Sequence, residues 1–471
     1  MKFKNLGLYT DYYELTMAQG YYLKGRKDTT ASFDYFFRSN PFGGGYTVLA
    51  GIDDFLELLN KFTFGKKELD YLRKQGFKES FLSYLEDFKF QGDIYACQEG
   101  EIVFPHEPVI RVEGNIIETQ LIETLLLNII NFSSLIATKA SRIKYAAGEK
   151  KVIDFGLRRA QGFAGIQASK AAIIGGVEAT SNVFSAQKYD LPASGTQAHS
   201  WIQSYDNELS AFRDFAKLYP KNCVLLVDTY DTLKSGIPNA IKVAKEMEKK
   251  GDKLLGIRLD SGDLIKLSKK ARQMLNQAGL EYVKIAVSGQ LDEYKIKDML
   301  AQQAPVDVFG VGTRLITGQA DAALNGVYKL ATIDNKPTLK ISEERQKMIL
   351  PGKKEIVRCQ GTEFNTDLII LSSEKKDDLS SIKEVFHISQ DKKTTLDCHG
   401  REKLLKKIVA GGEKIISTGD VKQAVQYCQK RLSRLANKYK KLKEPEKYQV
   451  HVSQAVKEQQ QKLINNYMQK N

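Results

Sequence analysis

Five short apolar runs in the middle of the chain each end in a sequence that carries charged residues, serine or glycine. These sequences are Arg158–Arg159, Asp228–Asp231, Asp260–Asp263, Ser288–Gly289 and Gly312–Thr313. Arginine binds planar oxyanions with paired hydrogen bonds, and backbone N–H groups at glycine turns bind phosphate. An aspartate carboxylate can accept hydrogen bonds from sugar hydroxyls or coordinate a divalent cation. The set predicts an enzyme site for a phosphorylated, cation-assisted sugar.

The glycine turns are the predicted phosphate sites. Ser288 and Gly289 precede a predicted helix, and Gly312 and Thr313 follow the next strand. A phosphate site in the loops after the last strands recurs among α/β barrels. A single glycine turn could serve only to reverse the chain. Two consecutive strands that both end in a glycine turn favour phosphate binding.

An arginine and an aspartate share one face of a predicted strand. Arg258 lies two residues before Asp260, and side chains two residues apart in a strand point to the same side. A buried arginine beside an aspartate is costly unless a ligand anion or a partner balances the charges. Asp260 can hold ribose hydroxyls or magnesium, and Asp263 can do the same or cap the helix that follows. Of Arg158 and Arg159, we expect one to face the site and the other to be structural.

His199 is the candidate for covalent chemistry. It begins a predicted helix shortly after Gly195, and the only tryptophan of the chain, Trp201, follows two residues later. An imidazole can attack phosphorus and form a phosphohistidine, and a nearby carboxylate such as Asp228 would fix its tautomer. General base catalysis and ligand binding are the alternatives that the spacing leaves open.

The apolar runs predict the elements that hold these residues. Continuous runs such as Val224–Val227 and Leu254–Leu259 are typical of strands buried on both faces of a parallel sheet. Amphipathic segments of helix length lie between them, so that strand, loop and helix repeat about every 30 residues. About six such units occur rather than the eight of a complete barrel. Residues 126–335 are therefore predicted to form an irregular, incomplete α/β barrel that carries the site.

The flanking segments predict two further regions. Residues 1–125 mix short strands and helices and predict an N-terminal α/β sandwich domain, which the β-like residues 336–400 are candidates to complete. Residues 401–471 hold 17 Lys and Arg against 6 Asp and Glu, which is most of the net charge of +14. Apolar residues at helical spacing from Val421 to Tyr439 predict a basic helical extension with a solvated charged face. RNA binding is the alternative, but no RNA-binding motif accompanies the charge.

Composition limits the class of protein. At 471 residues the chain is too long for one ordinary core, so several domains are expected. No apolar run reaches the ~18 residues of a membrane-spanning helix, and the first residues lack the apolar segment of a secretory signal. The five cysteines are scattered and form neither a disulfide framework nor a zinc pattern. We expect a cytoplasmic enzyme whose partners include neither a membrane nor a nucleic acid.

Nine motifs occur in order between residues 5 and 360. They are Thr10–Met17, Phe33–Arg38, Asn40–Gly45, Gly156–Gly162, Gly195–Ser200, Asp228–Thr232, Arg258–Asp263, Gly310–Thr313 and Gly326–Leu330. Together they resemble the nicotinate phosphoribosyltransferase family, whereas the segment beyond residue 400 carries no motif that we can place. The resemblance implies an N-terminal α/β sandwich domain, an irregular α/β barrel and a homodimer with its sites near the interface.

The resemblance also implies roles for the site residues. It marks His199 as the histidine that ATP phosphorylates and Asp228 as the carboxylate that orients it. It marks Tyr13 as the aromatic residue that stacks on the pyridine ring, supplied by the neighbouring subunit. The other implied roles are nicotinate binding for Thr196 and Arg258, ribose binding for Asp260, anion binding for Arg158 and Arg159, and phosphate binding for Thr313.

The implied reaction transfers the 5-phosphoribosyl group of 5-phosphoribosyl 1-diphosphate to nicotinate, as a step of NAD synthesis, with ATP and Mg²⁺ as cofactors. The pyridine nitrogen is already a nucleophile at neutral pH, so no strong base is required. The enzyme must instead stabilise the developing ribosyl cation and the departing diphosphate by positioning and by charge.

Three other functions compete with this interpretation. A nicotinamide-using transferase would place an acidic residue against the amide, whereas Arg258 and Thr196 suit a carboxylate. A quinolinate transferase is shorter and lacks the histidine motif. An RNA-binding or scaffolding protein with an inactive barrel is the alternative from another class, and the presence of His199, Asp228 and Asp260 argues against it.

Overall fold

The computed structural model describes residues 4–341, 349–361, 363–364, 366–374, 384–388, 392–396, 400–416 and 420–470. The chain divides into two units, the first from residues 1–138 and 323–471 and the second from residues 139–322. The boundaries predicted at residues 126 and 335 are displaced for two reasons. Helix Glu123–Ala147 runs through the first boundary without a break, and strand Gly326–Ile333 pairs with Thr30–Phe37 in a sheet of the first unit.

A parallel sheet forms the centre of the second unit. Its six strands lie in the order Ala179–Thr180, Lys151–Asp154, Val308–Val311, Lys284–Val287, Gly256–Leu259 and Val224–Leu226. Apolar residues of these strands, including Val152, Ile257 and Phe309, are fully buried, which explains the continuous apolar runs in the sequence. Within the described residues the two outer strands do not pair with each other, so the predicted barrel is an open sheet of the predicted strand number.

Helices alternate with these strands. They are Ala164–Ile174, Val183–Tyr189, His199–Gln203, Glu208–Leu218, Ile237–Glu248, Leu264–Gln277, Glu293–Ala301 and Thr313–Ile316, with a 3₁₀ turn at Leu157–Arg159 and a π-helical turn at Thr232–Gly236. Asp263 caps Leu264–Gln277, as predicted, because its Oδ1 accepts a hydrogen bond from the backbone N–H of Lys266 at 3.0 Å. Short loops therefore place every strand end close to a helix start.

The first unit is built on a mainly antiparallel sheet and a large aromatic core. The strand order is Lys336–Pro337, Gly326–Ile333, Thr30–Phe37, Ile110–Asn115, Asp93–Ala96, Lys406–Ala410 and Glu413–Lys414. The helices of the unit up to its boundary are Tyr12–Leu23, Ile52–Leu59, Lys66–Lys74, Glu79–Glu86, Ile116–Leu121 and the start of Glu123–Ala147, with a 3₁₀ turn at Pro41–Gly43. Phe33 and Tyr328 stack across neighbouring strands with ring centroids 4.7 Å apart, which ties the returning segment to the N-terminal strand.

A second sheet of the first unit is made entirely from later residues. Its order is Lys393–Thr395, Glu384–His387, Gln449–Ser453, Thr366–Leu371, Lys354–Gln360 and Gly400–Lys403, and a separate pair joins Thr47–Val48 to Ile102–Val103. Residues 342–348, which fall in a stretch predicted to be β, lie outside the described residues. None of the helices in the described ranges is long and apolar enough to cross a bilayer.

The prediction of a basic helical extension over residues 401–471 is incomplete, because the segment also holds strands. Helices Val421–Arg434, Asn437–Lys440 and Gln454–Lys470 do occur, but Lys406–Ala410 and Gln449–Ser453 are strands of the two sheets. These strands were not predicted because each has only five residues and Lys406–Ala410 begins with two lysines. The extension groups with the first unit.

The cysteine pattern also needs one correction. Cys97, Cys223 and Cys428 are free and buried, as packing residues would be. Cys359, however, is disulfide-bonded, so the expectation of unpaired cysteines fails there.

A buried ion cluster joins the second sheet of the first unit to Glu101 and to helix Val421–Arg434. The Arg358 side chain is 1% exposed, and its guanidinium donates to Asp367 Oδ2 and to Glu101 Oε1, each at 2.6 Å. Arg431 Nε donates to the same Glu101 oxygen at 2.8 Å, and Tyr448 donates its hydroxyl to Asp367 at 2.9 Å. Every charge in this cluster is compensated by a partner, which is the condition for burying it at tolerable cost.

Removal of the central arginine is expected to destabilise the first unit. Arg358→Ala leaves Glu101 and Asp367 without their shared cation, and we expect the free energy of unfolding to fall by about 3–5 kcal/mol. Urea unfolding followed by circular dichroism measures the change. Arg73→Ala is the matched control, because the ion pairs of Arg73 with Asp70 and Glu79 are exposed and should contribute at most about 1 kcal/mol. Equal losses in the two variants would contradict this view of the cluster.

Candidate active site

A cavity of about 470 Å³ opens at the carboxyl ends of the parallel strands in the second unit. It is lined by Phe155, Leu157, Arg158, Arg159, Ser181, Gly195, Thr196, Gln197, Ala198, Arg258, Asp260, Ser288, Gly289, Gln290, Gly310, Gly312 and Thr313. Nine of the twelve predicted site residues are in this lining, and the exceptions are His199, Asp228 and Tyr13. The structure thus brings segments more than 150 residues apart to one place, as the parallel strand ends required.

Arg258 provides a buried positive charge in the cavity wall. Its side chain is 14% exposed, and Nη1 donates to Thr196 Oγ1 and to the carbonyl oxygen of Gln197. Burial lowers the pKa of the guanidinium, and the carboxylates of Asp260 and Asp228 oppose that effect. Arg258 Nε is buried and donates no hydrogen bond to any described residue. The group therefore retains capacity to bind an anion.

Asp260 lies next to this arginine, as the two-residue spacing predicted. Its Oδ1 is 3.8 Å from Arg258 Nη2 and accepts a hydrogen bond from the Ser288 hydroxyl. The side chain of Asp260 remains 36% exposed, so its carboxylate is accessible from the cavity. Such a carboxylate, held from behind by a hydroxyl and a guanidinium, can accept hydrogen bonds from a sugar.

His199 stands at the edge of the cavity, at the start of helix His199–Gln203. Trp201 secures this short helix, because its indole N–H donates to the carbonyl oxygen of Ala211 at 3.1 Å. The imidazole Nδ1 is 3.1 Å from Thr229 Oγ1, and Nε2 is 4.0 Å from Asp260 Oδ2. The tryptophan noted in the sequence thus has a structural role in placing the histidine.

Asp228 holds the backbone of a neighbouring loop. Its Oδ2 accepts hydrogen bonds from the N–H of Asp260 at 2.9 Å and from the Ser261 hydroxyl at 2.6 Å. Its Oδ1 is buried and accepts none from the described residues. The hydroxyl contact of His199 is with Thr229, so the assignment of Asp228 as the orienting carboxylate stays a prediction.

The two glycine turns lie side by side in the cavity wall. Gly289 has φ +117°, and a β-carbon there would lie 2.7 Å from the carbonyl oxygen of Asp260, so only glycine fits the turn. Gly312 immediately precedes Thr313, the first residue of the short helix Thr313–Ile316. Backbone N–H groups from two adjacent strand ends therefore line one wall, as phosphate binding would need.

Arg158 and Arg159 both line the cavity and both are exposed. The expectation that one of them faces away is therefore wrong, because the 3₁₀ turn Leu157–Arg159 does not alternate as a strand would. Buried Asp154 supports this loop by accepting hydrogen bonds from the Gly156 N–H at 2.7 Å and from Thr180 Oγ1 at 2.8 Å. Burial raises the pKa of Asp154, and these hydrogen bonds oppose the rise.

Tyr13 belongs to the first unit, near the start of helix Tyr12–Leu23, with its side chain half exposed. Burial of part of the ring, with a hydrogen bond to Glu14, raises the pKa of its hydroxyl. Exposure leaves the ring available for an external contact, which is the property its predicted stacking role requires.

Sequence reasoning missed several residues of the site. Phe155, Ser181, Gln197 and Gln290 line the cavity, and Thr229 contacts His199. Phe155 and Ser181 directly follow strands, and this position after a strand could have predicted their place in the cavity wall. Gln197 contributes its carbonyl oxygen to Arg258, and Thr229 contributes its hydroxyl to His199. The spacing of residues in the sequence does not predict such contacts.

Comparison with known proteins places the whole chain in one family. Residues 8–131 match the nicotinate phosphoribosyltransferase N-terminal domain, residues 150–390 match the nicotinate phosphoribosyltransferase family, and residues 353–460 match the nicotinate phosphoribosyltransferase C-terminal domain. The last match covers much of the segment in which the sequence showed no motif.

Similar proteins span nearly the full length of the chain. The nicotinate phosphoribosyltransferase of Bacillus subtilis strain 168 is 42% identical over 463 residues, which are 96% of this chain and 93% of that protein. The crystal structure of human nicotinic acid phosphoribosyltransferase is 28% identical, has a TM-score of 0.85 and covers 95% of this chain and 98% of its own. The crystal structure of nicotinate-nucleotide pyrophosphorylase from Pyrococcus furiosus has a TM-score of 0.71 at 26% identity, with 91% and 95% covered. With the strand-end cavity described above, these matches show that the chain belongs to the nicotinate phosphoribosyltransferase family.

Proposed function

We propose that this chain transfers the 5-phosphoribosyl group of 5-phosphoribosyl 1-diphosphate to nicotinate, giving nicotinate mononucleotide and diphosphate, in NAD synthesis. The observation that carries the proposal is the buried Arg258 guanidinium next to the accessible Asp260 carboxylate in one cavity. A positive group for a carboxylate and an acceptor for ribose hydroxyls stand side by side there. Membership of the family supports the same reaction.

The nicotinate end of the cavity is formed by Arg258, Thr196 and Phe155. The Arg258 guanidinium carbon is 5.9 Å from the Phe155 ring centroid, so that an aromatic face and a cation lie together. A pyridine carboxylate would neutralise the guanidinium, whereas the neutral amide of nicotinamide would leave it uncompensated. This difference in charge supports nicotinate over nicotinamide as the substrate.

The sugar end is formed by Asp260, the glycine turns and the two exposed arginines. Asp260 would hold the ribose hydroxyls, while Arg158 and Arg159 would bind the diphosphate. In the transfer, the pyridine nitrogen forms a bond to C1 of the ribose as the bond from C1 to the diphosphate oxygen breaks. The diphosphate leaves with the electron pair, and the arginine charges stabilise it.

The carboxylates near the cavity fit Mg²⁺ as a partner of the diphosphate. Asp260 is accessible and Asp228 Oδ1 accepts no hydrogen bond from the described residues. No group of three or more potential ligands within the described ranges would enclose a metal ion. Because Mg²⁺ commonly binds through one or two carboxylates together with substrate phosphates, this sparse donor set suits it. When bound, Mg²⁺ would supply positive charge to the departing diphosphate.

The proposed reaction is coupled to ATP through His199. Phosphorylation of the imidazole by ATP and later hydrolysis of the phosphohistidine would drive transfer towards the nucleotide. The position of the ring beside Asp260 supports this, because a phosphoryl group on His199 would lie at the sugar end of the cavity.

The proposal also includes a homodimer in which Tyr13 of one subunit stacks on the pyridine ring bound by the other.

A side-by-side substrate assay tests the proposed reaction. Purified protein is incubated with 5-phosphoribosyl 1-diphosphate, Mg²⁺, ATP and radiolabelled nicotinate, nicotinamide or quinolinate. We expect labelled mononucleotide from nicotinate alone. Product from nicotinamide or quinolinate at an equal rate, or from none of the three, would reject the proposal.

Loss of the histidine should separate transfer from ATP use. We expect His199→Ala to abolish stimulation by ATP, because no nucleophile remains for phosphorus, while slow transfer without ATP persists. Initial rates with and without ATP, and incorporation of label from [γ-³²P]ATP into the protein, measure both effects. Stimulation that survives the substitution would remove His199 from the coupling step.

Loss of the buried arginine should weaken nicotinate binding selectively. We expect Arg258→Ala to raise KM for nicotinate roughly 10- to 100-fold, which is the scale of a lost charged hydrogen bond, with a much smaller change in KM for the ribosyl donor. Arg213→Ala is the matched control, since Arg213 pairs with Glu246 outside the cavity. Equal rises in both KM values would contradict the assignment.

A further inference from the structure

We propose that Thr229 positions the imidazole of His199 and thereby selects Nε2 as the nitrogen that receives the phosphoryl group. This inference rests on the proposed phosphorylation of His199 and names the group that prepares the ring for it. The two ring nitrogens have different surroundings. Nδ1 is 3.1 Å from Thr229 Oγ1, whereas Nε2 points towards Asp260 Oδ2, 4.0 Å away, at the cavity.

One oxygen of the carboxylate expected in this role is engaged elsewhere, and the other accepts no hydrogen bond from the described residues. Asp228 Oδ2 accepts hydrogen bonds from the Asp260 N–H and the Ser261 hydroxyl. Asp228 therefore holds the loop that carries Asp260, while the residue that follows it contacts the ring. One short segment thus fixes both the sugar-facing carboxylate and the imidazole.

A hydroxyl at Nδ1 has a different chemical effect from a carboxylate. A carboxylate stabilises the imidazolium form, in which neither nitrogen has a lone pair to attack phosphorus. The neutral Thr229 hydroxyl can accept a hydrogen bond from Nδ1–H and leave the lone pair on Nε2. In that tautomer the reactive nitrogen Nε2 is on the cavity side, where Asp260 Oδ2 is 4.0 Å away, beyond hydrogen-bonding distance.

The γ-phosphoryl group of ATP would then be transferred to Nε2. The Nε2 lone pair forms a bond to the γ-phosphorus of ATP, and the bond from that phosphorus to the bridging oxygen breaks, so ADP leaves with the electron pair. The proton remains on Nδ1, where the Thr229 oxygen accepts its hydrogen bond. A water oxygen later forms a bond to the phosphorus as the bond from phosphorus to Nε2 breaks. The electron pair returns to Nε2, and both water protons leave with the phosphate.

The loop that carries Thr229 is held at both ends, so the hydroxyl has a fixed position. Before it, Asp228 is bound as described. After it, Asp231 Oδ1 accepts hydrogen bonds from the N–H groups of Leu233 and Lys234 at 3.1 and 2.9 Å. A β-carbon at Gly236 would lie 1.9 Å from the carbonyl oxygen of Val227, so the turn packs directly on the preceding strand end. Rigid support of this kind is what a positioning residue requires.

The test compares three full-length variants with the wild type. Thr229→Val removes the hydroxyl at nearly constant volume, and Thr229→Ser restores a hydroxyl. Ser204→Ala is the matched control, since Ser204 donates to the Trp201 carbonyl oxygen at 2.7 Å on the helix of His199. Long-range ¹H–¹⁵N spectra of histidine-labelled protein report the tautomer, and the His199 signal is assigned by its loss in His199→Ala. With five histidines in the chain, such spectra are resolvable.

We expect the wild type, Thr229→Ser and Ser204→Ala to hold the proton on Nδ1, and Thr229→Val to lose that preference. Phosphorylation by [γ-³²P]ATP should slow about three- to tenfold in Thr229→Val, the scale of one hydrogen bond, and recover in Thr229→Ser. ³¹P NMR of the wild-type phosphoprotein should show the group on Nε2. A merely structural role of Thr229 would not alter the tautomer in a folded variant.

Two results would overturn the proposal. One is a phosphoryl group on Nδ1, and the other is a Thr229→Val protein with the wild-type tautomer and phosphorylation rate. If the wild type takes no phosphate on His199, the proposed ATP coupling fails by itself. In that event the tautomer comparison still decides whether Thr229 orients the ring, so the two failures are distinguishable.

Discussion

A guanidinium group buried at the end of a parallel strand is the feature on which the candidate site depends. Arg258 is costly to bury, and the protein offsets part of that cost with the Thr196 hydroxyl, a backbone carbonyl and the nearby Asp260 carboxylate. That compensation is incomplete, because Arg258 Nε donates to none of the described residues. A bound carboxylate would complete it, and this is the physical basis of the proposed selectivity for an anionic substrate.

The parallel sheet supplies the rigidity that this arrangement needs. Most of the site residues lie in a buried strand, directly after one, or at the start of a short helix, and several are held by a second contact. Asp154 holds the arginine loop, Ser288 holds Asp260, and Trp201 holds the helix of His199. Charge can then be presented to a ligand without reorganisation of the protein, which is the condition for electrostatic stabilisation of a developing cation and a leaving anion.

The sequence predicted those features that follow from period and chain direction. Arg258 and Asp260 share a face because of strand geometry, and the glycine turns meet because parallel strands end at one edge. The sequence did not predict contacts that depend on exact side-chain placement. Examples are the contact of Thr229 with His199 and the presence of both Arg158 and Arg159 in the cavity wall. The strands within the basic extension escaped because they are stabilised by long-range pairing with Asp93–Ala96 and Thr366–Leu371 rather than by local pattern.

A crystal structure of the protein with nicotinate mononucleotide bound would show whether Arg258 binds the substrate carboxylate. We expect the pyridine carboxylate within hydrogen-bonding distance of Arg258, the ribose hydroxyls at Asp260 and the phosphate at the Ser288–Gly289 and Gly312–Thr313 turns. A nucleotide bound in the reverse orientation, or outside this cavity, would contradict it.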